Sequence, residues 1–162
     1  MRETGYREQY DRMMRWFSKL QEIYNQSEKP QPGPVQEFFR RGQDRWEPDL
    51  DIVYAFFQNC YHLLDWIEKD SEIVTSKSQL RSFRDKNDSL VCCMDICNGS
   101  KHCDLKKVNL REHTDLVEQN GKALLKNAYQ VVHKKGQWDA LKLAKCCIDK
   151  LDEFIDMHKV AK

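Results

Sequence analysis

The stretch DLDIVYAFFQNCYHLLDWIEK, residues 49–69, decides how this chain folds. Leu50, Val53, Phe57, Cys60, Leu64 and Ile67 recur at spacings of three and four and form one helical stripe. Ile52, Phe56, Leu63 and Trp66 form a second. A helix apolar on two sides is a central helix, touched by several neighbours. Pro48 suits its first turn. Gln58, Asn59 and His62 sit inside this segment, and polar groups that become buried need partners.

Upstream, Tyr6, Tyr10, Met13, Phe17, Leu20 and Tyr24 place one apolar stripe on a helix over about residues 3–26. KPQPGP, residues 29–34, stops that helix and opens a stiff, proline-rich connection over 29–48. Val35 to Trp46 reads as a short helix broken near Gly42. Downstream, SKSQLRSFRDK (76–86) predicts a shorter helix within Ser71 to Lys86. Asn87, Asp88 or Ser89 can cap the next one, which runs through LVCCMDICN. Asn98-Gly99 either ends that helix or lies inside it. From Leu105 to Trp138 the pattern changes. Thr114–Val117 and Tyr129–Val132 favour strands, and Asn120-Gly121 and Lys135-Gly136 look like turns. A β-hairpin or meander is predicted over 105–138, although ALLKNAYQVV also suits a helix. Asp139 caps a last helix over 139–159, with Leu141, Ala144, Ile148, Leu151 and Ile155 as its stripe. The fold class is therefore mainly α: one domain over 1–162, a four- to five-helix bundle with a small β-hairpin before the C-terminal helix.

The composition fits a globular chain of 162 residues, 33% charged and 40% hydrophobic. Twenty-seven Lys and Arg nearly cancel twenty-six Asp and Glu, which argues against coating nucleic acid by bulk electrostatics. No apolar run approaches the roughly eighteen residues of a membrane span. MRETGYREQYDRMMRW lacks the apolar stretch of a signal peptide, so a cytoplasmic protein with no membrane partner is expected. The charge is unevenly placed. Residues 46–75 hold one Lys against seven acids, whereas 76–111 hold eight Lys and Arg against four acids. Opposite signs can help two helices dock, or leave a basic surface near Lys101, Lys106, Lys107 and Arg111. Seven cysteines, an odd number, fit buried reduced thiols better than a closed disulfide set.

Two constellations could carry chemistry. In DICNGSKH, residues 95–102, Asp95, Asn98 and His102 are spaced i, i+3, i+7. On a continuous helix they fall within about 60° of one another, with Lys101 beside them. A histidine oriented by a carboxylate or an amide can act as general acid or base, and a lysine can hold a phosphate. The plain alternative is a helix end at Asn98-Gly99 with Lys101 and His102 exposed beyond it. In QNCYHLLDW, Gln58, His62 and Asp65 follow the same kind of spacing, and a histidine on so apolar a helix reads first as a satisfied core residue. Cys93, Cys97, His102 and Cys103 lie close together, but paired C-x-x-C spacing is absent, so no metal and no cofactor is expected. P-loop, G-x-G-x-x-G and G-x-S-x-G signatures are also absent.

YAFFQNCYHLLDWI followed by DICNGSKH resembles a family of small bacterial and phage proteins. Its members carry an F-x-N-x-x-H-x-x-D-W helix, a C-N-G-S-K-H segment, a short β region and a closing helix similar to DALKLAKCCIDKLDEF. The resemblance covers about residues 50–158, is weakest over 105–135, and brings no activity with it. More distantly, the arrangement resembles the HEPN helical bundles, many of them metal-independent ribonucleases that work as dimers in toxin or phage-defence systems. That resemblance implies His102 as the histidine of the motif and Asn98 or Asp95 as its polar position. Ile96 and Cys97 stand where the family has an arginine, and Lys101 lacks the bidentate fork of one.

Two functions follow. In the first, His102 is the general acid or base of RNA cleavage, with Asp95 or Asn98 orienting it, Lys101 on the phosphate, and His62 facing it across the helix pair. In the second, the chain is a non-enzymatic interaction or regulatory module, with a protein partner or a second copy, and the same polar residues lock its packing.

Overall fold

Helix α1 (Tyr6–Gln26) lies antiparallel against α2 (Pro48–Lys69), so that Tyr6 meets Asp70, Gln9 meets Asn59 and Phe17 meets Phe56. The computed structural model describes residues 5–26, 29–30, 48–102, 108–119 and 122–161. The segment Val35–Trp46, the Asn120-Gly121 turn, and Cys103, Lys106 and Lys107 lie outside the described residues. The chain continues through α3 (Lys77–Asp85), α4 (Asp88–His102), a hairpin of β2 (Val108–Gln119) and β3 (Lys122–His133), β4 (Gly136–Asp139) and α5 (Ala140–His158). A two-residue strand β1 (Lys29–Pro30) pairs antiparallel with β3 at Leu124 and Leu125. The protein is mainly helical, with a small antiparallel sheet ahead of its C-terminal helix. No described helix is long and apolar enough to cross a membrane.

The two apolar stripes expected on α2 merge into one. Val53, Phe56, Phe57, Cys60, Leu63, Leu64 and Ile67 are buried. At about 100° per residue they fill one arc, roughly 120° wide and centred on Cys60. His62 lies on the far side of that arc and is exposed, so it is not a core histidine. Asn59 sits at the edge of the arc. Its Oδ1 and its backbone carbonyl both accept hydrogen bonds from the Gln9 amide. Gln9 is itself buried, in line with Tyr6 and Met13 on the α1 stripe.

The segment between α2 and α3 is fastened at several points. Asp70 accepts from the Tyr6 backbone N–H at 2.6 Å and so caps the start of α1 from another element. A Cβ at Gly5 would come within 2.5 Å of the same carboxylate oxygen, so a larger residue there would push Asp70 off this N–H. Ser76 begins α3 with a capping box shared with Gln79. Phe83 of α3 then packs on Phe154 of α5.

The hairpin is longer than the β-favouring residues alone suggested. It runs in unbroken register from Val108 opposite His133 to Gln119 opposite Lys122. Tyr129, Val131 and His133 alternate inward and are buried, as period-two geometry requires. β4 pairs with the same end of β3, after a turn in which Gly136 takes a positive φ of 142°. Asp139 then caps α5 by accepting from the Lys142 N–H.

Tyr24 ties α1 to this root. Its hydroxyl donates to Asp139 Oδ1 at 2.7 Å and accepts from the backbone N–H groups of Tyr129 and Leu141. Burial raises its pKa above the ordinary phenol value, so the donor proton stays in place at neutral pH. Tyr129 reaches on to Asp49, at the start of α2. Tyr24→Phe keeps the ring and removes the hub. It should lower unfolding free energy by about 1–3 kcal/mol, seen as a lower urea midpoint at unchanged slope. An unchanged midpoint would contradict this role.

Candidate functional site

Helix α4 runs without interruption through Asn98-Gly99 to His102. A glycine inside a helix costs only about 1 kcal/mol, and burial of Ile96, Cys97 and Gly99 itself outweighs it. The helix is apolar on nearly every side. Leu90, Cys92, Cys93, Asp95, Ile96 and Cys97 are all buried between α2, α5 and the hairpin root. Every polar group that it turns inward therefore has to find its partner inside the protein.

Asp95 finds one that lies far away in sequence. Its Oδ2 is 2.8 Å from His133 Nε2, and the two side chains are 4% and 0% exposed. The backbone N–H of Lys135 donates to the other ring nitrogen at 3.1 Å. These two contacts assign the proton to Nε2, which donates it to the carboxylate. The Trp138 ring closes over this end at 6.3 Å between centroids. Both ring nitrogens are thus occupied, and the pair fastens the hairpin root to α4. Spacing along one helix could not find His133. The signal that could was the alternation Tyr129, Val131, His133, which puts an ionisable ring at an inward strand position.

The other expected site residues lie elsewhere. Asn98 is exposed, although it shares α4 with the buried Asp95. His62 is exposed on α2, opposite the arc that faces the core. Lys101 and His102 belong to the last turn of α4, and their side chains lie outside the described residues. Gln58 on α2 donates to Ser100 on α4 at 3.1 Å, a polar side-chain contact between the two helices named from sequence.

A second cluster lies deeper. Cys60 of α2, Cys93 of α4 and Cys147 of α5 bring their sulfur atoms within 4.8 Å of one another, and all three are buried. Cys93 donates to the Phe57 carbonyl and Cys147 to the Ser89 carbonyl. The Cys147 and Cys93 thiols close beside it hold the Cys60 thiol below its ordinary range, against the cost of burial. Burial pushes the Cys93 and Cys147 thiols well up, and that of Cys92 up to about 12. Sequence proximity grouped Cys93 with Cys97 and Cys103, whereas the fold groups it with two cysteines from other helices.

No family model, curated protein or solved structure gives a match to this chain.

His133→Ala leaves a buried carboxylate without its ring donor. Unfolding free energy should fall by about 3 kcal/mol, and the double variant with Asp95→Ala should lose clearly less than the two single losses added. Additive losses in urea unfolding would show that the two side chains do not act as a pair.

Proposed function

We propose that this chain is a non-enzymatic interaction or regulatory module, working by binding a protein partner or a second copy of itself. The observation that carries this reading is the enclosure of Asp95. A histidine that exchanges protons with a substrate needs a ring nitrogen open to it, whereas both ring nitrogens of His133 are taken up inside the protein. Asp95 is committed to His133 and sealed from water. A buried, fully paired polar contact of this kind specifies packing rather than proton transfer to a substrate. The near-balance of 27 basic and 26 acidic residues fits this better than bulk attraction to RNA.

One observation favours RNA cleavage as the second reading. Because α4 is continuous, exposed Asn98 stands one turn before His102, with Lys101 adjacent. That is the order of polar residue and histidine in the HEPN-like resemblance.

The two readings separate in one assay. Purified protein is incubated with total RNA in excess chelator, beside His102→Ala and Asn98→Ala. The module reading expects intact RNA in all three reactions, and a self-association or partner-binding signal from the same preparations. Cleavage by the wild-type chain that His102→Ala abolishes would overturn it in favour of the nuclease.

A further inference from the structure

We propose that Cys60, Cys93 and Cys147 form a binding site for one thiophilic, filled-d-shell metal ion in the helical core. The inference does not depend on whether the chain cleaves RNA.

The ligands come from three helices, α2, α4 and α5, so no local cysteine motif announces them. Metal–sulfur bonds of about 2.3 Å place sulfurs roughly 3.8–4.0 Å apart around a tetrahedral or trigonal ion. The three sulfurs already lie within 4.8 Å of one another, so closing on an ion needs less than about 1 Å of movement. The donor set is all sulfur. Such a set excludes magnesium and calcium, which take oxygen ligands, and selects zinc or monovalent copper.

The protons balance simply. Three S–H bonds break, three metal–sulfur bonds form, and the protons leave to solvent with no change of oxidation state. Cys93 and Cys147 exchange their bonds to the Phe57 and Ser89 carbonyls for bonds to the metal. Packing alone would explain three scattered buried thiols, each against its own apolar neighbours. It does not explain three sulfurs converging on one point.

Two ions share this chemistry, and Cys97 distinguishes them. It lies one turn beyond Cys93 on α4 and is buried. Zinc prefers four ligands and would recruit it, whereas monovalent copper is satisfied by three.

The test uses the full chain, reduced and kept under argon. It is loaded separately with zinc and with monovalent copper, then desalted. Metal content, thermal midpoint and proton release are measured for wild type, Cys60→Ala, Cys93→Ala, Cys147→Ala and Cys97→Ala. Cys146→Ser, at an exposed position, is the control. One equivalent of ion retained by wild type and the control, with a raised midpoint, is expected. Each cluster variant should lose more than the ~10–100-fold in affinity that an outer-sphere change costs. Cys97→Ala should weaken zinc but not copper.

X-ray absorption at the metal edge of the loaded wild type needs no variant, so a variant that fails to fold leaves the question answerable. Three sulfur neighbours, or four with zinc, support the site. Fewer than three sulfurs, metal well below one equivalent, or equal retention by folded cluster variants would overturn it.

Discussion

The constraint on which the rest depends is that α4 is enclosed on nearly every side. On the buried side of such a helix there is no water to satisfy polar side chains, and an unpartnered buried group costs as much as several good contacts bring. Each polar side chain on α4 named here as facing inward is answered from outside the helix. Asp95 is answered by β3, Ser100 by α2, and the Cys93 thiol by the Phe57 carbonyl. Among the described residues, no buried side-chain nitrogen or oxygen lacks a hydrogen-bond partner. The hairpin is thus held to the bundle by the same requirement that fixes how α4 sits on α2.

The helices were legible because their signals are local. Apolar spacing located α1, α2 and α5, Asp139 marked the start of α5, and the strand-favouring runs located the hairpin. The break suggested by Asn98-Gly99 did not occur, because the small intrinsic cost of Gly99 is outweighed by the core around it. The two stripes on α2 are one wide arc, and that single angular fact carries His62 out to the surface.

The candidate sites were less legible because their contacts are not local. Asp95 and His133 are 38 residues apart, joined by a strand register that spacing on one helix cannot express. Cys60, Cys93 and Cys147 meet only after three helices have packed. The cysteine count was visible at once, whereas their convergence is a property of the assembled core.

The Tyr24 hub has a consequence for the order of events during synthesis. Its partners Tyr129 and Asp139 lie 105 and 115 residues further along the chain. While a ribosome is still making the hairpin, α1 can dock on α2 but Tyr24 near its end lacks the partners that its hydroxyl takes in the folded protein. The nascent protein therefore carries this end of α1 without its Tyr24 hub for most of its translation. Such an interval is when a chain is open to mispairing and to capture by chaperones.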